Sequence, residues 1–497
     1  MALQMPVPDE AILARRASIA AALSALVPGR GVIVDADGRR TYESDGLSAY
    51  AQSPLVVVLP ETTAQVAAVL RYCNAHGIPV VARGAGTSLS GGALPLADGV
   101  LIGLARMSRI LELDFDNRVA VVQAGVTNLR ISQAAQPRGF YYAPDPSSQI
   151  ACTIGGNVAE NSGGVHCLKY GLTTNNVLGV ELVLIDGEVL RLGGRALESA
   201  SHDLLSLVIG SEGLLGIVTE ITVRLLPRPQ VARALLLGFA SVEAASRCVG
   251  AVIGAGIIPA GMEMMDRAAI HATEAFVPVG YPLDVEALLI VEVDGVAAEC
   301  DDLIGQISRL ARTAGAVSVR QSQSETERQA FWAGRKAAFP AVGRISPDYY
   351  CMDGTIPRRE LPAVLRQISL LSQRHALAVV NVFHAGDGNL HPLVLYDANR
   401  AGELERAEAF GADILRLCVA VGGVLTGEHG VGVEKRDLMP GMFTSVDLEH
   451  QERVKHAFDP GMLLNPGKVF PALHRCAELG RVHVHRGRTR FPDLLRL

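Results

Sequence analysis

Aromatic and charged residues are both scarce in this sequence of 497 residues. Aromatics make up 5%, with a single Trp, and charged residues make up 19%. So few aromatic rings give no surface on which bases could stack, and a formal net charge of −6 gives no positive electrostatic field. We therefore expect no nucleic-acid partner. Hydrophobic residues at 49% exclude a disordered chain. No run of 18 apolar residues occurs, so no transmembrane helix is predicted.

Cysteine is present, but the eight residues are scattered and no two lie closer than 15 positions. Without a C-x-x-C motif, the sequence favours neither a zinc ribbon nor a local iron–sulfur cluster. Isolated cysteines in a long chain are typical of buried, reduced thiols. Charged side chains at Asp9, Glu10, Arg15 and Arg16 interrupt the first apolar segment, so no signal peptide is predicted. We therefore expect a cytoplasmic protein that reaches the inner face of the membrane only through partner subunits.

The length predicts about three domains or sub-domains. The first half begins with a helix over 8–27 and a polar, irregular stretch over 31–53, and a strand at 55–59, a helix to His76 and a strand at 78–82 follow. Further strands are predicted within 100–126, 177–193 and 214–226, and Pro227 and Pro229 mark a boundary. The predicted division of the whole chain is 1–53, 54–229, 230–421, 422–471 and a tail at 472–497.

The second half alternates strands with helices. Strands are predicted near 235–239, 287–294, 316–320 and 350–356, with helices near 241–255, 297–314, 324–340, 359–375 and 401–421. Residues 378–396 show a hairpin pattern, and 422–471 show short glycine-rich segments.

A glycine-rich loop over 83–92 directly follows the strand at 78–82. It begins G-x-G, but Leu89 stands where a Rossmann fingerprint needs its last glycine, so that motif is excluded. Walker A is excluded too, because Val469 follows Gly467-Lys468. Unobstructed N–H groups with two nearby hydroxyls suit a diphosphate. An ordinary strand-connecting loop has the same composition, so the residues alone leave both interpretations open.

Two histidines, His384 and His391, flank a short loop in the predicted hairpin. Direct pairing of the two would place both imidazoles on one face, as ligands of a divalent metal require. Glu428 and His429 add a carboxylate and an imidazole in a glycine-rich loop. Such a set suits zinc, manganese or iron. Histidines near a hairpin are also common as structural residues, so spacing alone does not decide between these interpretations.

Several segments resemble the FAD-linked 2-hydroxy-acid dehydrogenases of the vanillyl-alcohol oxidase type. They are the loop at 80–88, the pair 144–147 and 155–159, the loop at 210–219, and the motifs FHAGDGNLHP and TGEHGVG. The resemblance implies an α+β protein: a two-part FAD-binding fold, here 54–229, an α/β substrate (cap) domain, here 230–421, and a C-terminal segment, 422–471, that returns to the flavin and closes the active site. It implies FAD contacts at Arg83, Gly84, Ala85, Gly86, Thr87, Ser88, Gly91, Gly92, Pro144, Asp145, Ser148, Gly155, Gly156, Asn157, Ala159, Glu212, Gly216, Ile217, Val218 and Asn465.

The same resemblance implies the chemistry of the site. His384, His391 and Glu428 would bind the metal, His429 would be the base and Arg335 would bind the substrate carboxylate. A metal chelated by a 2-hydroxy acid lowers the hydroxyl pKa, the base removes the proton, and the C2 hydride passes to flavin N5. Covalent flavoproteins of this fold carry a His on the first loop, where this sequence has Thr and Ser, so non-covalent FAD is expected.

Within the family, the chain is similar to FAD-linked subunits of glycolate-oxidising complexes, notably in the tail and around His384. This implies two partners, a second flavin-fold subunit and an iron–sulfur subunit. Members that act on D-2-hydroxyglutarate carry polar residues where this chain aligns Phe339, Cys351 and Leu393, so a short substrate such as glycolate or D-lactate is expected. The alternatives are a self-sufficient FAD-linked D-lactate dehydrogenase and a non-enzymatic, flavin-binding structural subunit. Retention of all four metal and base residues argues against the second alternative.

Overall fold

The computed structural model describes residues 5–196 and 202–471. The predicted tail at 472–497 lies outside these residues. All seven cysteines within the described ranges are unpaired and buried, as the sequence predicts. Across the same ranges, no helix combines the length and apolar character needed to cross a membrane.

The first half of the chain contains two sheets with short helices around them. Its strands are β1 Val32–Ile33, β2 Val56–Val58, β3 Val80–Arg83, β4 Val100–Gly103, β5 Ile110–Asp114, β6 Val119–Gln123, β7 Phe140–Tyr141, β8 Val177–Val183, β9 Val189–Gly193, β10 Ile217–Arg224 and β11 Leu226–Pro227. Its helices are α1 Glu10–Ala14, α2 Arg16–Leu26, α3 Ala36–Arg40, α4 Thr63–His76, α5 Asn128–Ala135, α6 Ile154–Glu160, α7 Cys167–Tyr170, α8 Thr173–Asn176 and α9 Leu204–Val208.

The first sheet has the order β1-β2-β4-β3, and the second has the order β5-β6-β10-β8-β9. β2, β4 and β3 are parallel, and their Val, Leu and Ile residues are buried, as expected for strands covered on both faces. Between β2 and β3, α4 starts at a Thr62 cap and ends at Gly77, whose φ of 63° stops the helix. β1 and α3 lie in the stretch 31–53 that was predicted to be irregular, so that prediction was wrong.

The second half is built on one large sheet. Its strands are β12 Val231–Phe239, β13 Gly261–Asp266, β14 Ala287–Gly295, β15 Ala316–Gln321, β16 Asp348–Cys351, β17 Gly354–Thr355, β18 Val379–His384, β19 Asn389–Leu390 and β20 Pro392–Tyr396. Its helices are α10 Val242–Gly254, α11 Arg267–Phe276, α12 Ala297–Ala314, α13 Glu325–Val342, α14 Leu361–His375, α15 Glu403–Ala420, α16 Met439–Met442 and α17 Ser445–Phe458. The sequence analysis missed β13, α11 and α17.

The sheet order is β15-β12-β14-β13-β18-β19-β17, with β20 paired to β16 and β18. The hairpin predicted at 378–396 is present, but His384 pairs with Asn389, and Asn381 pairs with Pro392. The predicted pairing of His384 with His391 was therefore wrong by two residues. A shift of two leaves every side chain on its original face, since side chains alternate along a strand.

The C-terminal segment runs back to the first half of the molecule. Val80 N donates to Leu463 O and Asn465 N donates to Val80 O, which adds a short parallel bridge beside β3. Val433 N and Glu434 N both donate to Ser90 O. These bonds bring the 427–434 loop beside the glycine-rich loop that follows β3.

Candidate active site

One cavity of about 400 Å³ brings together the predicted cofactor loops and the predicted reaction residues. One wall consists of the loops at 82–89, 146–148, 152–157 and 211–218. The other wall carries the predicted metal, base and substrate-binding side chains, which are Arg335, His384, His391, Glu428 and His429. Residues from three separate parts of the chain therefore meet at one place.

The loop after β3 presents its backbone to this cavity. Within the described residues, none of the N–H groups from Gly84 to Leu89 donates to another protein group. A Cβ at Gly84 would lie 2.2 Å from Thr153 Oγ1, and Gly86 has a φ of 72° and no room beside the Arg83 guanidinium. Consecutive free N–H groups on a loop stripped of side chains fit the diphosphate of a dinucleotide.

Most residues predicted to contact the cofactor line this cavity. They are Arg83, Gly84, Ala85, Gly86, Thr87, Ser88, Gly92, Ser148, Gly155, Gly156, Asn157, Ala159, Glu212, Gly216, Ile217 and Val218.

Four residues predicted to contact FAD do not line the cavity, and each has another role. Asp145 accepts hydrogen bonds from the backbone N–H and Nδ1 of His166, and Pro144 O accepts one from Asn128. Gly91, with a φ of 76°, lies against Val433. Asn465 is buried behind the loops, where Nδ2 donates to Gly92 O at 3.1 Å and to Glu212 O at 2.7 Å. These residues support the loops and do not face the cavity.

The donor atoms of His384, His391 and Glu428 all lie within 4.8 Å of one another. Glu428 Oε1 is 3.2 Å from His384 Nε2 and 3.0 Å from His391 Nε2. The two imidazole rings meet edge to face, with centroids 5.0 Å apart. Two imidazole nitrogens and one carboxylate oxygen are a common ligand set for zinc, manganese or iron.

The remaining ring nitrogens orient both histidines. His384 Nδ1 is 2.6 Å from Glu263 Oε1, and His391 Nδ1 is 3.2 Å from Met352 O. Because a carboxylate and a carbonyl can only accept, both Nδ1 atoms carry a proton, and neutral rings would then turn their Nε2 lone pairs toward Glu428. Acceptors this close to a carboxylate require a positive charge among them. A divalent cation, which these residues could hold, meets that requirement.

Glu428 and His384 have strongly perturbed pKa values. Burial alone would raise the pKa of Glu428, but the hydrogen bonds and charges of the two histidines lower it well below its ordinary value. Burial alone would lower the pKa of His384, but Glu263 and Glu428 raise it well above its ordinary value. Both shifts favour a cluster of opposite charges at this point.

Arg335 lies on α13 and is only 2% exposed. Its Nε and Nη2 contact Glu263 Oε2 at 2.8 and 2.7 Å. Among the described residues, Nη1 has no hydrogen-bond partner, while the side chain lines the cavity. A buried guanidinium with a free nitrogen at a cavity can bind a carboxylate. Glu263 was missed by the sequence analysis because β13 was missed; a charged residue inside the apolar run 262–265 was the available signal.

His429 lines the same cavity, and its ring stacks on His391 with centroids 5.0 Å apart. Nδ1 is shielded from solvent and has no partner in the described part of the chain. Burial, with the nearby His391 and Lys435 charges, lowers the pKa of His429 to about 4, although Asp353 opposes this shift. The imidazole is therefore neutral near pH 7 and can accept a proton.

A second buried carboxylate, Asp353, holds the loop that carries Glu428 and His429. It accepts hydrogen bonds from the Thr426 hydroxyl and from the N–H groups of residues 427–429, at 2.5 to 3.3 Å. Lys435 Nζ lies 3.2 Å from Oδ2. Burial alone would raise the pKa of Asp353, but His429 and Lys435 lower it well below its ordinary value. The sequence analysis missed Asp353 as well.

The three positions aligned with D-2-hydroxyglutarate enzymes have different locations. Phe339 lines the cavity one helical turn from Arg335, whereas Cys351 and Leu393 form a buried cross-strand pair that does not line it. Cys351 also lies with His391 and His429 in a second group of possible metal ligands. The two histidine rings of that group are stacked, with an interplanar angle of 13°. The lone pairs of parallel rings do not converge on one ion, so the group with Glu428 is the better candidate for a metal site.

Comparison with known proteins adds to this geometry. The family "FAD binding domain" matches residues 54–193, and "FAD linked oxidases, C-terminal domain" matches residues 228–469. The glycolate oxidase subunit GlcD of Escherichia coli K12 is 57% identical over 97% of this chain and 96% of that protein. A D-lactate dehydrogenase of Anaerostipes hadrus is 34% identical, covering 88% of this chain and 94% of that protein.

Solved structures confirm the predicted fold class. The 4-ethylphenol oxidase of Gulosibacter chungangensis has a TM-score of 0.79 at 18% identity, covering 95% of this chain and all of that one. At this identity the likeness establishes the α+β, two-part fold alone. Together with the family matches and the close relatives, it shows that the chain is an FAD-binding protein and belongs to the FAD-linked 2-hydroxy-acid oxidoreductases that include glycolate oxidase subunits and D-lactate dehydrogenases.

Proposed function

We propose that this protein oxidises a small 2-hydroxy acid, glycolate or D-lactate, to the 2-oxo acid with non-covalently bound FAD and a divalent metal. The observation that carries the proposal is the convergence of Arg335, His384, His391, Glu428 and His429 on the cavity that the glycine-rich loops line. The names of the close relatives support the same substrate class.

Arg335 would bind the substrate carboxylate through its free Nη1. Its other two nitrogens are fixed by Glu263, so the guanidinium is already oriented before a ligand arrives. Phe339 lines the same cavity and gives an apolar wall. An apolar wall beside the carboxylate site favours a short, uncharged group on C2 and disfavours a second carboxylate.

His429 would take the proton from the substrate hydroxyl. Neither ring nitrogen has a hydrogen-bond partner among the described residues, and Nδ1 is shielded, so the acceptor facing the cavity is Nε2. Asp353 fixes the backbone on which this ring stands. A metal held by His384, His391 and Glu428 would polarise the substrate hydroxyl, and FAD would accept the C2 hydride.

Anaerobic titration of the purified holoenzyme tests this proposal. Glycolate, D-lactate, L-lactate and D-2-hydroxyglutarate are added singly while flavin absorbance is recorded. We expect bleaching with glycolate or D-lactate and little with D-2-hydroxyglutarate. The matched control is the His429→Ala variant, which should hold FAD without bleaching. Bleaching by none of the four acids would refute the proposal and favour a structural flavin-binding subunit.

We further propose that the chain works as the catalytic subunit of a complex with a second flavin-fold subunit and a cysteine-rich iron–sulfur subunit. The support is the description of its relatives as oxidase subunits. The isolated chain should reduce a soluble dye but not membrane quinone, and coexpression with both partners should restore quinone reduction. Efficient quinone reduction by the chain alone would instead favour the self-sufficient D-lactate dehydrogenase, the activity named for another relative.

A further inference from the structure

Glu263 lies at the centre of the cap-domain sheet, on a strand between two others. Its Cα is paired directly with that of His384 on β18, and with Ile290 on β14. Cross-strand partners point to the same face, so the carboxylate and the imidazole extend together toward α13. The neighbouring methionines, Met262 and Met264, pack into the core on the opposite face.

The Glu263 side chain is fully buried, and its two oxygens serve different partners. Oε1 accepts from His384 Nδ1 at 2.6 Å, and Oε2 accepts from Arg335 Nε at 2.8 Å and forms an ion pair with Nη2 at 2.7 Å. A buried carboxylate needs positive or hydrogen-bonding partners to offset its desolvation, and here both partners belong to the candidate site. Glu263 does not itself line the cavity, so its oxygens do not face a ligand there.

We propose that Glu263 is a positioning residue that orients the metal ligand His384 and the carboxylate-binding Arg335 at the same time. The inference rests on the proposed function of this site. By holding the proton on His384 Nδ1, Glu263 keeps the Nε2 lone pair directed at the metal position. By holding Nε and Nη2 of Arg335, it leaves Nη1 as the nitrogen available to the substrate.

Because one carboxylate holds both partners, its removal should weaken metal binding and substrate binding together. Removal of the Oε1 contact frees the His384 ring to rotate or to change tautomer, which weakens metal binding by about 10–100-fold. Removal of the Oε2 contacts frees the Arg335 guanidinium and should raise the KM for the substrate by about tenfold, the equivalent of one charge-assisted hydrogen bond. Substitution of either partner alone should affect only one of these quantities.

The experiment measures two properties of the FAD-loaded full-length protein. The dissociation constant of Mn²⁺, used as the metal probe, is obtained from the electron paramagnetic resonance signal of the free ion. The KM for glycolate is obtained by dye reduction at saturating Mn²⁺. We expect Glu263→Gln to raise both quantities, His384→Ala to raise the Mn²⁺ constant, and Arg335→Lys to raise KM with the Mn²⁺ constant unchanged.

Glu292 provides a matched control on the adjacent strand β14. It is 3% exposed and also holds an arginine and a histidine, with Arg328 Nη1 at 2.6 Å and His166 Nε2 at 3.4 Å, away from the cavity. Glu292→Gln should cost comparable stability while leaving the Mn²⁺ constant and KM unchanged. If Glu263 had only a structural role, Glu263→Gln and Glu292→Gln would have the same effects on the Mn²⁺ dissociation constant and on KM.

A second variant, Glu263→Asp, separates position from charge. It keeps the negative charge but is one methylene shorter, so it cannot reach both partners. We expect it to raise the Mn²⁺ constant and KM together. Glu263→Asp with wild-type values, or an FAD-loaded Glu263→Gln that changes only one quantity or neither, would overturn the inference. If the wild-type protein bound no Mn²⁺, that result would instead contradict the proposed metal site on which this inference rests.

Discussion

Replacement of Asp353 by Asn should disable the candidate site while leaving FAD bound. The carboxylate is fully buried and accepts from Thr426 Oγ1, from three consecutive backbone N–H groups and from Lys435 Nζ. An amide nitrogen in place of either oxygen would place a donor against these donors. The loop that carries Glu428 and His429 would then have to move.

The magnitude follows from these contacts. Breaking a buried ion pair by removal of one partner costs about 3–5 kcal/mol. We expect the lower end, about 3 kcal/mol, because Glu434 Oε2 remains 3.5 Å from Lys435 Nζ. A displacement of about 1 Å at a reacting group costs roughly 100-fold in rate, so kcat should fall at least that far. Because the folded pKa of Asp353 is depressed, its own stabilisation is complete above the ordinary pKa near 4 and is lost as the pH falls below that value.

Urea denaturation and steady-state dye reduction measure the two effects. The control is Asp294→Asn, which removes a buried carboxylate that holds Lys169 Nζ and Tyr170 OH outside the cavity. Both variants should lose stability, but only Asp353→Asn should lose kcat and Mn²⁺ affinity. An Asp353→Asn enzyme with wild-type kcat, or an Asp294→Asn enzyme with the same loss of kcat, would refute the role assigned to this carboxylate.

Three further predictions concern the same region. His429→Ala should stop substrate-driven flavin reduction with FAD and metal retained, whereas His384→Ala or Glu428→Ala should lower metal content by elemental analysis; the opposite pattern would exchange these roles. Acid precipitation should leave yellow flavin in the supernatant, and flavin in the pellet would contradict non-covalent binding. Burial raises the pKa of Glu434 to about 7, so the wild type should lose up to about 3 kcal/mol as pH rises from about 4.5 to 7, relative to Glu434→Gln. Equal urea midpoint differences at pH 5 and 8 would contradict this prediction.

The parts of the site that the sequence predicts well are those with a local signature. A diphosphate loop must be free of side chains, so it appears as a cluster of glycines, and 16 of the predicted contact residues line the cavity. The residues predicted to bind the metal and to act as the base stand in two short motifs, and the fold brings these motifs together. In both cases the residues that would carry the chemistry lie together in short segments of the chain.

The carboxylates that support the site have no such signature. Glu263 and Asp353 act on residues more than 70 positions away, and each stands alone in an apolar segment. Their partners are defined only by strand pairing, which periodicity does not give. The run 260–266 is also too short for its period to separate a strand from a buried helix. A single acid inside a buried apolar run is the one clue, since such a charge must be paired.

The hairpin shows why two histidines can share a face even though their register was predicted wrongly. Direct pairing of His384 with His391 was predicted, whereas the observed register pairs His384 with Asn389. The shift is even, so His391 remains on the same face as a diagonal neighbour, at a distance that two imidazoles can span. An odd shift would have placed one histidine on the opposite face and excluded a shared metal.

The loop at 427–432 cannot build this site by itself. Its three glycines carry no side chain that could fix the backbone, Val431 is the loop's residue in the hydrophobic core, and Gly430 adopts a φ of 83° that L residues rarely take. Its order comes from two buried carboxylates on opposite sides. Asp353 of the second half of the chain binds the N–H groups of residues 427–429, and Glu212 of the first half binds those of Val431 and Gly432 at 2.6 and 2.7 Å. The position of His429 therefore depends on contacts from both halves of the chain, which explains why the proposed base, the proposed metal ligands and the proposed cofactor loops share one cavity.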